Sequence, residues 1–365
     1  MPFWTYTYQK INNDGTLTSI PSSCVTAGTW TSNKLNVTDP VTTSLGELRG
    51  RLPASMPSIS VGDGIRITAT NGANTIERDL LINDYIVNYG MVPNADTWTM
   101  ALEDVLAQIG RANATFSWSA NIKTQAAAQL IANASGWELN QITPDPSKSL
   151  VSAQSFTNEN CLDILRKLAY TEEGRVASQG ATLYPFTGTT IWFWVFLPRP
   201  AYTNVAGVLT DNVTNLATQI AYDNVAFSGI GDNYWNKAIV EPSGLAAQSS
   251  GTGTRAYIVQ TYDVSTTQAL YNAQYIAAQL TSATATPRTI SFLQEAQGGY
   301  YKQIGDVVQV TLRGSSYYAA VLSQTWSWTP QETRVTLNLA PYSSSNWLVL
   351  NNTVLGRLDY NKLGF

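Results

Sequence analysis

Histidine is absent from all 365 residues. Its absence removes Ser-His-Asp and Cys-His nucleophilic systems, which need an imidazole base. It also removes the usual zinc sites, which two scattered cysteines cannot replace. Those two, Cys24 and Cys161, read as reduced, small apolar residues rather than a disulfide framework. Charge is scarce: Asp, Glu, Lys and Arg make up 13% of the chain, against ~25% in an ordinary soluble domain. The formal net charge is −4, and no basic stripe of the kind that grips phosphates is visible. No apolar run approaches the ~20 residues that span a bilayer; the longest, Ile191 to Leu197, stops at Pro198. The first ten residues lack a basic region ahead of a continuous apolar one, so no secretory signal is expected.

Carboxylate-only chemistry survives this pruning, but no spacing selects a pair among Glu172, Glu173, Asp223 and Asp232. Glu172 and Glu173 read as a solvated helix end. Gly251-Thr-Gly253-Thr-Arg-Ala256 has the letters of a dinucleotide fingerprint, yet it precedes a strand where the motif should follow one and open a helix. It reads as a loop. Asn-x-Thr triplets such as Asn36-Val-Thr38 arise by chance in an Asn- and Thr-rich chain. No catalytic residue, metal ligand or cofactor is expected.

What is present is apolar and aromatic. Hydrophobic residues reach 44%, with 11 Trp and 19 Tyr, and the polar positions are filled largely by uncharged Thr, Ser, Asn and Gln. Aromatic and β-branched side chains fit a half-buried pleated surface, so strands should dominate. Charge depletion also suits a protein whose outside is covered by neighbours.

Length accommodates two to three domains. Residues 1–112 alternate in the β manner at PFWTYTY, VGDGIRITAT and LLINDYIVNY, closing with DTWTMALED. Residues 113–232 contain a helix from Thr124 to Gly136 and another from Asn158 to Tyr170, with Asp163 able to pair with Arg166 or Lys167. Strands return at GRVAS and IWFWVFL. Residues 233–345 carry one helix over 265–281, opened by the capping box Ser265-Thr-Thr-Gln268. Residues 346–365 form an apolar-dotted tail.

An internal repeat organises this pattern. VGDGIRIT at 61–68 matches IGDVVQVT at 304–311, an offset of 243 residues. A polar turn, a strand ending in aromatics, a Pro-containing turn and a closing strand follow each copy. Gly62, Asp63, Gly305 and Asp306 occupy matching turn positions. The fold class expected is α+β and predominantly β, with two related β-barrel-like domains flanking a smaller α/β domain. A chain with two similar domains lets a ring of three meet a ring of six.

The stretches YDNVAFSGIGDNYWNKAIVEPSG, RAYIVQ, PRTISFLQ, KQIGDVVQVTLRG and YAAVLSQTWSWTPQETRVTLNLAP resemble the C-terminal half of phage tail hub proteins. The likeness is greatest to minor tail proteins of siphophages infecting actinobacteria, which resemble the baseplate hub of contractile-tailed phages in fold. SISVGDGIRIT, VNYGMVPNADTWTMALEDVLAQIGRA and the end LGRLDYNKLGF extend the likeness over nearly the whole chain. It implies tail-tube-like β-barrel domains and a homotrimer at the distal end of a virion tail, made in the bacterial host cytoplasm. Its partners would be a distal tail or tail tube protein, the tape measure protein, and tail fibre or receptor-binding proteins. DNA would pass through without specific binding, which an acidic balance favours. Larger relatives append a lysozyme or peptidase module; nothing of that kind is visible here.

Two segments are candidate docking elements. Trp192 and Trp194 sit in the densest aromatic cluster, Ile191 to Phe196, which reads as a strand buried on both faces, a partner-docking strand or a sugar platform. Leu355, Leu358, Tyr360, Leu363 and Phe365 make the tail too apolar for a free end. The readings left open are a carbohydrate-binding or carbohydrate-cleaving surface protein, suggested by the Trp and Tyr content, and a distal-tail or tube ring component.

Overall fold

The computed structural model describes residues 4–341 apart from 35–38, 53–55, 72–74, 93–94, 142–144, 146, 185–188, 198–207, 211–212, 214–218, 229–234, 281–285, 294–303 and 305. The alternating segments near the N-terminus form β1 (Thr5–Ile11), β2 (Leu17–Ile20), β3 (Val25–Asn33), β4 (Val41–Arg51), β5 (Gly64–Thr70), β6 (Thr75–Asn88) and β7 (Thr97–Glu103). Successive side chains on a strand point to opposite faces. Ile65, Ile67 and Ala69 of β5 are accordingly buried, while Arg66 between them pairs with Asp79 on β6 at 2.8 Å.

Helices then alternate with strands in α1 (Val105–Ile109), β8 (Asn113–Trp118), β9 (Ile122–Lys123), α2 (Thr124–Ser135), β10 (Glu138–Leu139), β11 (Leu150–Val151), β12 (Gln154–Asn160), α3 (Cys161–Glu172), β13 (Arg175–Tyr184) and β14 (Thr189–Leu197). Helix α2 stops where the sequence predicts, at Gly136 with φ +76°, a conformation glycine adopts without a Cβ penalty. Asn160 caps α3 by accepting from the Leu162 and Asp163 N–H groups. Arg166 donates to Asp163 at 2.9 Å. Leu165 and Leu168 of α3 join Leu106, Ile109, Ile131, Trp194 and Phe196 in one buried cluster.

The remaining elements are β15 (Val208–Thr210), β16 (Gln219–Ala221), β17 (Asn224–Ser228), β18 (Lys237–Pro242), β19 (Gln248–Gly251), β20 (Ala256–Thr261), α4 (Thr266–Gln279), β21 (Thr286–Leu293), β22 (Val307–Leu312), β23 (Ser315–Trp328) and β24 (Thr333–Pro341). Ser265 caps α4 by accepting from the Gln268 N–H. The Gln268 side chain donates to the Leu150 carbonyl instead of closing a reciprocal box. Strands β19–β18–β20 form a small sheet whose buried face packs under α4 through Ala238, Val240, Ala269, Ala273 and Ile276.

Seventeen strands make one large sheet. Among the described residues, pairing runs β2–β1–β5–β6–β7–β4–β3–β23, then branches through β24 to β21 and β17, and through β22 to β15 and β16; from β4 a further branch runs through β13 to β14 and β10. The two barrel-like units expected from the sequence therefore share a sheet, and among the described residues it does not close into a barrel. The physical reason is β3, which pairs with β23 of the other unit. Hydrogen bonding also groups the chain differently from its linear order. Strands β15–β17, within 113–232, join the large sheet, whereas 237–279 build the small sheet beside α3.

Candidate assembly interface

The repeat begins with a turn. Gly62 has φ +91° with open space where a Cβ would stand, so its conformation, not crowding, requires glycine. The Gly62 N–H donates to the Ile82 carbonyl at 2.8 Å, and the Ile82 N–H donates to the Asp63 carbonyl at 2.9 Å. The Asp63 carboxylate accepts from the Ser60 N–H at 2.7 Å and pairs with Lys10 at 2.8 Å. In the second copy the Val321 N–H donates to the Asp306 carbonyl, also at 2.9 Å. Gly305 lies outside the described residues.

Registers match beyond the turn. Gly64 stands opposite Leu81 and Val307 opposite Ala320. Both long strands are 14 residues. One bulge skips Asn83 between Ile82 and Asp84, and the other skips Leu322 between Val321 and Ser323. Val87 then faces Trp98, and Trp326 faces Val335. Next out, Trp98 faces Gly50 and Val335 faces Phe292. The run β5–β6–β7–β4–β3 thus repeats as β22–β23–β24–β21–β17. A bulge reproduced at the same place is a feature of the backbone plan, since it re-aims every residue after it. The copies differ on the outer side of the first strand, where β1 pairs antiparallel with β5 but β15 pairs parallel with β22.

The units meet where β3 pairs with the second half of β23, Gly28 opposite Trp328 and Asn33 opposite Ser323. Rings fill this seam. Tyr6 stacks on Trp328 with centroids 4.6 Å apart, and Trp4 meets Trp326 edge-on at 5.2 Å. The Trp328 Nε1 donates to the Tyr8 hydroxyl at 2.7 Å. The Tyr6 hydroxyl lies 2.8 Å from Thr333 Oγ1. Burial pushes the Tyr8 hydroxyl up to about 12 and the Tyr6 hydroxyl higher, so both stay neutral. Gly28 makes room: a Cβ there would come within 2.1 Å of Trp328 Cζ2.

Two edges have no such partner. Residues 84–88 of β6 pair with β7 on one side, and β5 on the other side ends at Leu81. Strand β17 pairs with β21 on one side. Among the described residues no strand pairs with the second side of either. Ile86 is 49% exposed and Phe227 37%. Beyond the β6 edge, Tyr89, Met91 and Val92 stand out into solvent.

Other residues singled out from sequence are placed differently. Trp194 is fully buried, its Nε1 donating to the Trp137 carbonyl at 3.2 Å, so its ring is committed to this chain's core. The Trp192 side chain, Asp232 and residues 346–365 with Leu355, Leu358, Tyr360, Leu363 and Phe365 lie outside what is described. Asp223 pairs with Arg334 at 2.5 Å. Glu172 and Glu173 correct the expectation of a solvated helix end, for both are buried. Glu172 accepts from Thr124 Oγ1 at 2.7 Å and from the Lys148 and Ser149 N–H groups at 2.8 Å. It satisfies the loop before β11, a contact no helical spacing reveals. Burial raises its pKa. Asp104, buried at the start of α1, accepts from the Ser44 and Ala107 N–H groups and ties α1 to β4. Cys24 and Cys161 are free and buried, and no helix among the described residues is long and apolar enough to cross a membrane.

No family model matches this sequence, and comparison with curated proteins finds no match. Solved structures do match. A tail protein from Neisseria meningitidis MC58 superposes with a TM-score of 0.61 at 12% identity, covering 92% of this chain and 96% of that one. The 43 kDa tail protein of prophage MuSo2 from Shewanella oneidensis also gives 0.61, at 11% identity, over 92% of this chain and 98% of that one. A prophage tail protein from Listeria monocytogenes EGD-e gives 0.54 at 12% identity, over 92% and 95%. At such identities the likeness is one of fold: this chain has the fold of phage tail proteins.

Proposed function

We propose that the chain is a structural hub of a phage tail tip, assembling as a ring of three copies that encloses the DNA exit channel. The ring would join a six-fold tube or distal-tail ring above to the tip and fibres below. The observation that carries this reading is the repeated five-strand unit. Within one chain, one copy's β3 is joined to the other copy's β23, and the equivalent edges, β17 and residues 84–88 of β6, are left without a second strand. A unit with one satisfied and one unsatisfied copy of the same joint is suited to head-to-tail closure, in which three chains present six similar β units. The fold shared with tail proteins supports the same reading. The apolar tail 346–365 would dock on a neighbouring protein, so its deletion should leave the ring intact and lower the amount of one other tail component.

The carbohydrate alternative draws on aromatic content, and the structure accounts for much of that content. Trp4, Trp30, Trp98, Trp118, Trp194, Trp326 and Trp328 are buried, so these rings build cores and seams rather than an open platform. We expect no catalytic role. Labelling intact phage particles with a gold-tagged antibody against the chain tests the position. Gold at the free end of the tail is expected. Gold along the shaft would make it a tube protein, and absence from particles would overturn the tail reading.

A further inference from the structure

We infer that neighbouring copies join by strand addition, with β17 of one copy antiparallel to the second half of β6 of the next, Ala226 opposite Asn88. This seam rests on the ring reading and gives it a register.

The in-chain seam supplies that register. Gly28 faces Trp328 and Thr29 faces Ser327. Strand β6 corresponds to β23 through the matched bulges and through the pairs Val87–Trp98 and Trp326–Val335. Trp328 and Ser327 therefore correspond to Tyr89 and Asn88. On the other side, β4 corresponds to β21 through Gly50 opposite Trp98 and Phe292 opposite Val335. Gly28 lies beside Leu48, and Val225 lies beside the matching Ile290. Gly28 and Thr29 therefore correspond to Val225 and Ala226. Applied between chains, the in-chain joint places Val225 opposite Tyr89 and Ala226 opposite Asn88. A bulge shifts the register after Ala226, which makes Ala226 with Asn88 the pair to test.

Both edges look built for a partner. Folded proteins normally blunt an open strand edge with lysine, proline or a covering loop. Asp84-Tyr-Ile-Val-Asn88 and Asn224-Val-Ala-Phe-Ser228 contain no lysine, arginine or proline, and each exposes an apolar side chain, Ile86 and Phe227. The two seams also differ in strength. The in-chain seam is packed with indoles, whereas the edges offer Val225 and Ala226 against Tyr89 and Asn88, with Phe227 and Val87 beside them and no indole on either strand. The inter-chain seam depends mainly on backbone hydrogen bonds, so the ring closes on the tail, where copies are held close, rather than in dilute solution.

The test is a chain carrying Ala226→Cys and Asn88→Cys, since Cys24 and Cys161 are buried. In tails assembled from it, mild oxidation should link copies into dimers and trimers. Single variants, and Ala226→Cys with Asp84→Cys, should stay monomeric. Hydrogen exchange on the native chain provides an independent readout should the double variant fail to assemble. Amides of 84–88 and 224–228 should exchange at least about ten-fold more slowly in tails than in the free chain. Tails that contain the chain but show neither linkage nor protection would overturn the seam and leave the hub position standing. Tails that lack the chain would overturn the hub reading and the seam with it.

Discussion

Trp30 and Trp326 stack across the junction of the two β units, centroids 5.2 Å apart and planes inclined by 24°. They are directly opposed in the β3–β23 ladder. The neighbouring pair, Thr31 and Thr325, is separated by 294 residues of chain and bridged at 3.0 Å between hydroxyls. Both indoles are buried. The stack therefore joins one end of the sequence to the other through surface that neither unit could bury alone.

Removing one ring should show this. Trp326→Ala is expected to destabilise the chain by ~3–5 kcal/mol, the usual cost of emptying a large buried aromatic site. Denaturant unfolding followed by circular dichroism measures it. A loss below about 1 kcal/mol would mean that the seam contributes little to stability.

Gly28 tests the same seam from the backbone. A methyl group at this position would meet Trp328 at 2.1 Å and Leu48 at 2.9 Å, and strand backbone cannot step aside easily. Gly28→Ala is expected to cost ~1–3 kcal/mol by overpacking. In a Trp328→Leu background the penalty should shrink, because residues in contact do not add independently. Equal penalties in the two backgrounds would place the strain somewhere other than against the indole.

Asp263 predicts a pH dependence. It is fully buried, accepting from Asn272 Nδ2 at 2.7 Å and from Thr261 Oγ1 at 2.5 Å. Burial pushes its carboxyl up to about 6 despite those donors. A raised carboxylate pKa favours the protonated folded state, so its contribution is fully present below the unfolded value near ~4 and is lost as pH rises through about 6. Asp263→Asn should flatten the stability profile across that window, by as much as ~3 kcal/mol. Chemical denaturation at pH 4, 5, 6 and 7 on both chains reads it out, and parallel profiles would sink the assignment.

Glu172 should behave as a structural acceptor. Glu172→Ala leaves the Lys148 and Ser149 N–H groups and the Thr124 hydroxyl without their partner, a loss of ~2–4 kcal/mol. Hydrogen exchange should show faster opening of 147–151 in the variant. An unchanged exchange pattern would indicate that the loop is held by other contacts.

Local chemistry was readable because it repeats over short spans. Helix α2 ends at the glycine that accepts a positive φ, α4 begins at the serine that caps it, and β5 buries every second residue. The shared Gly-Asp turn was visible as letters, and the structure shows that the letters stand for a common register down to the bulge. Glu172 was misread because two adjacent acids at a helix end carry no mark of the loop that will fold over them. Trp194 was left open between burial and docking because an aromatic strand has the same letters on an outer edge and in a core.

The sequence by itself determined the class of protein: mostly β, poor in charge, without histidine, and carrying an internal repeat. Those properties follow from composition and from periodicities of two and 3.6 residues, which act within a few residues of each other. Only the tertiary structure decided that the two units share one sheet, that β3 crosses to β23, and that β6 and β17 are left as the open ends. Strand pairing is a long-range choice among edges with similar hydrogen-bonding groups. It was settled here by which faces could bury Trp30, Trp326 and Trp328 together.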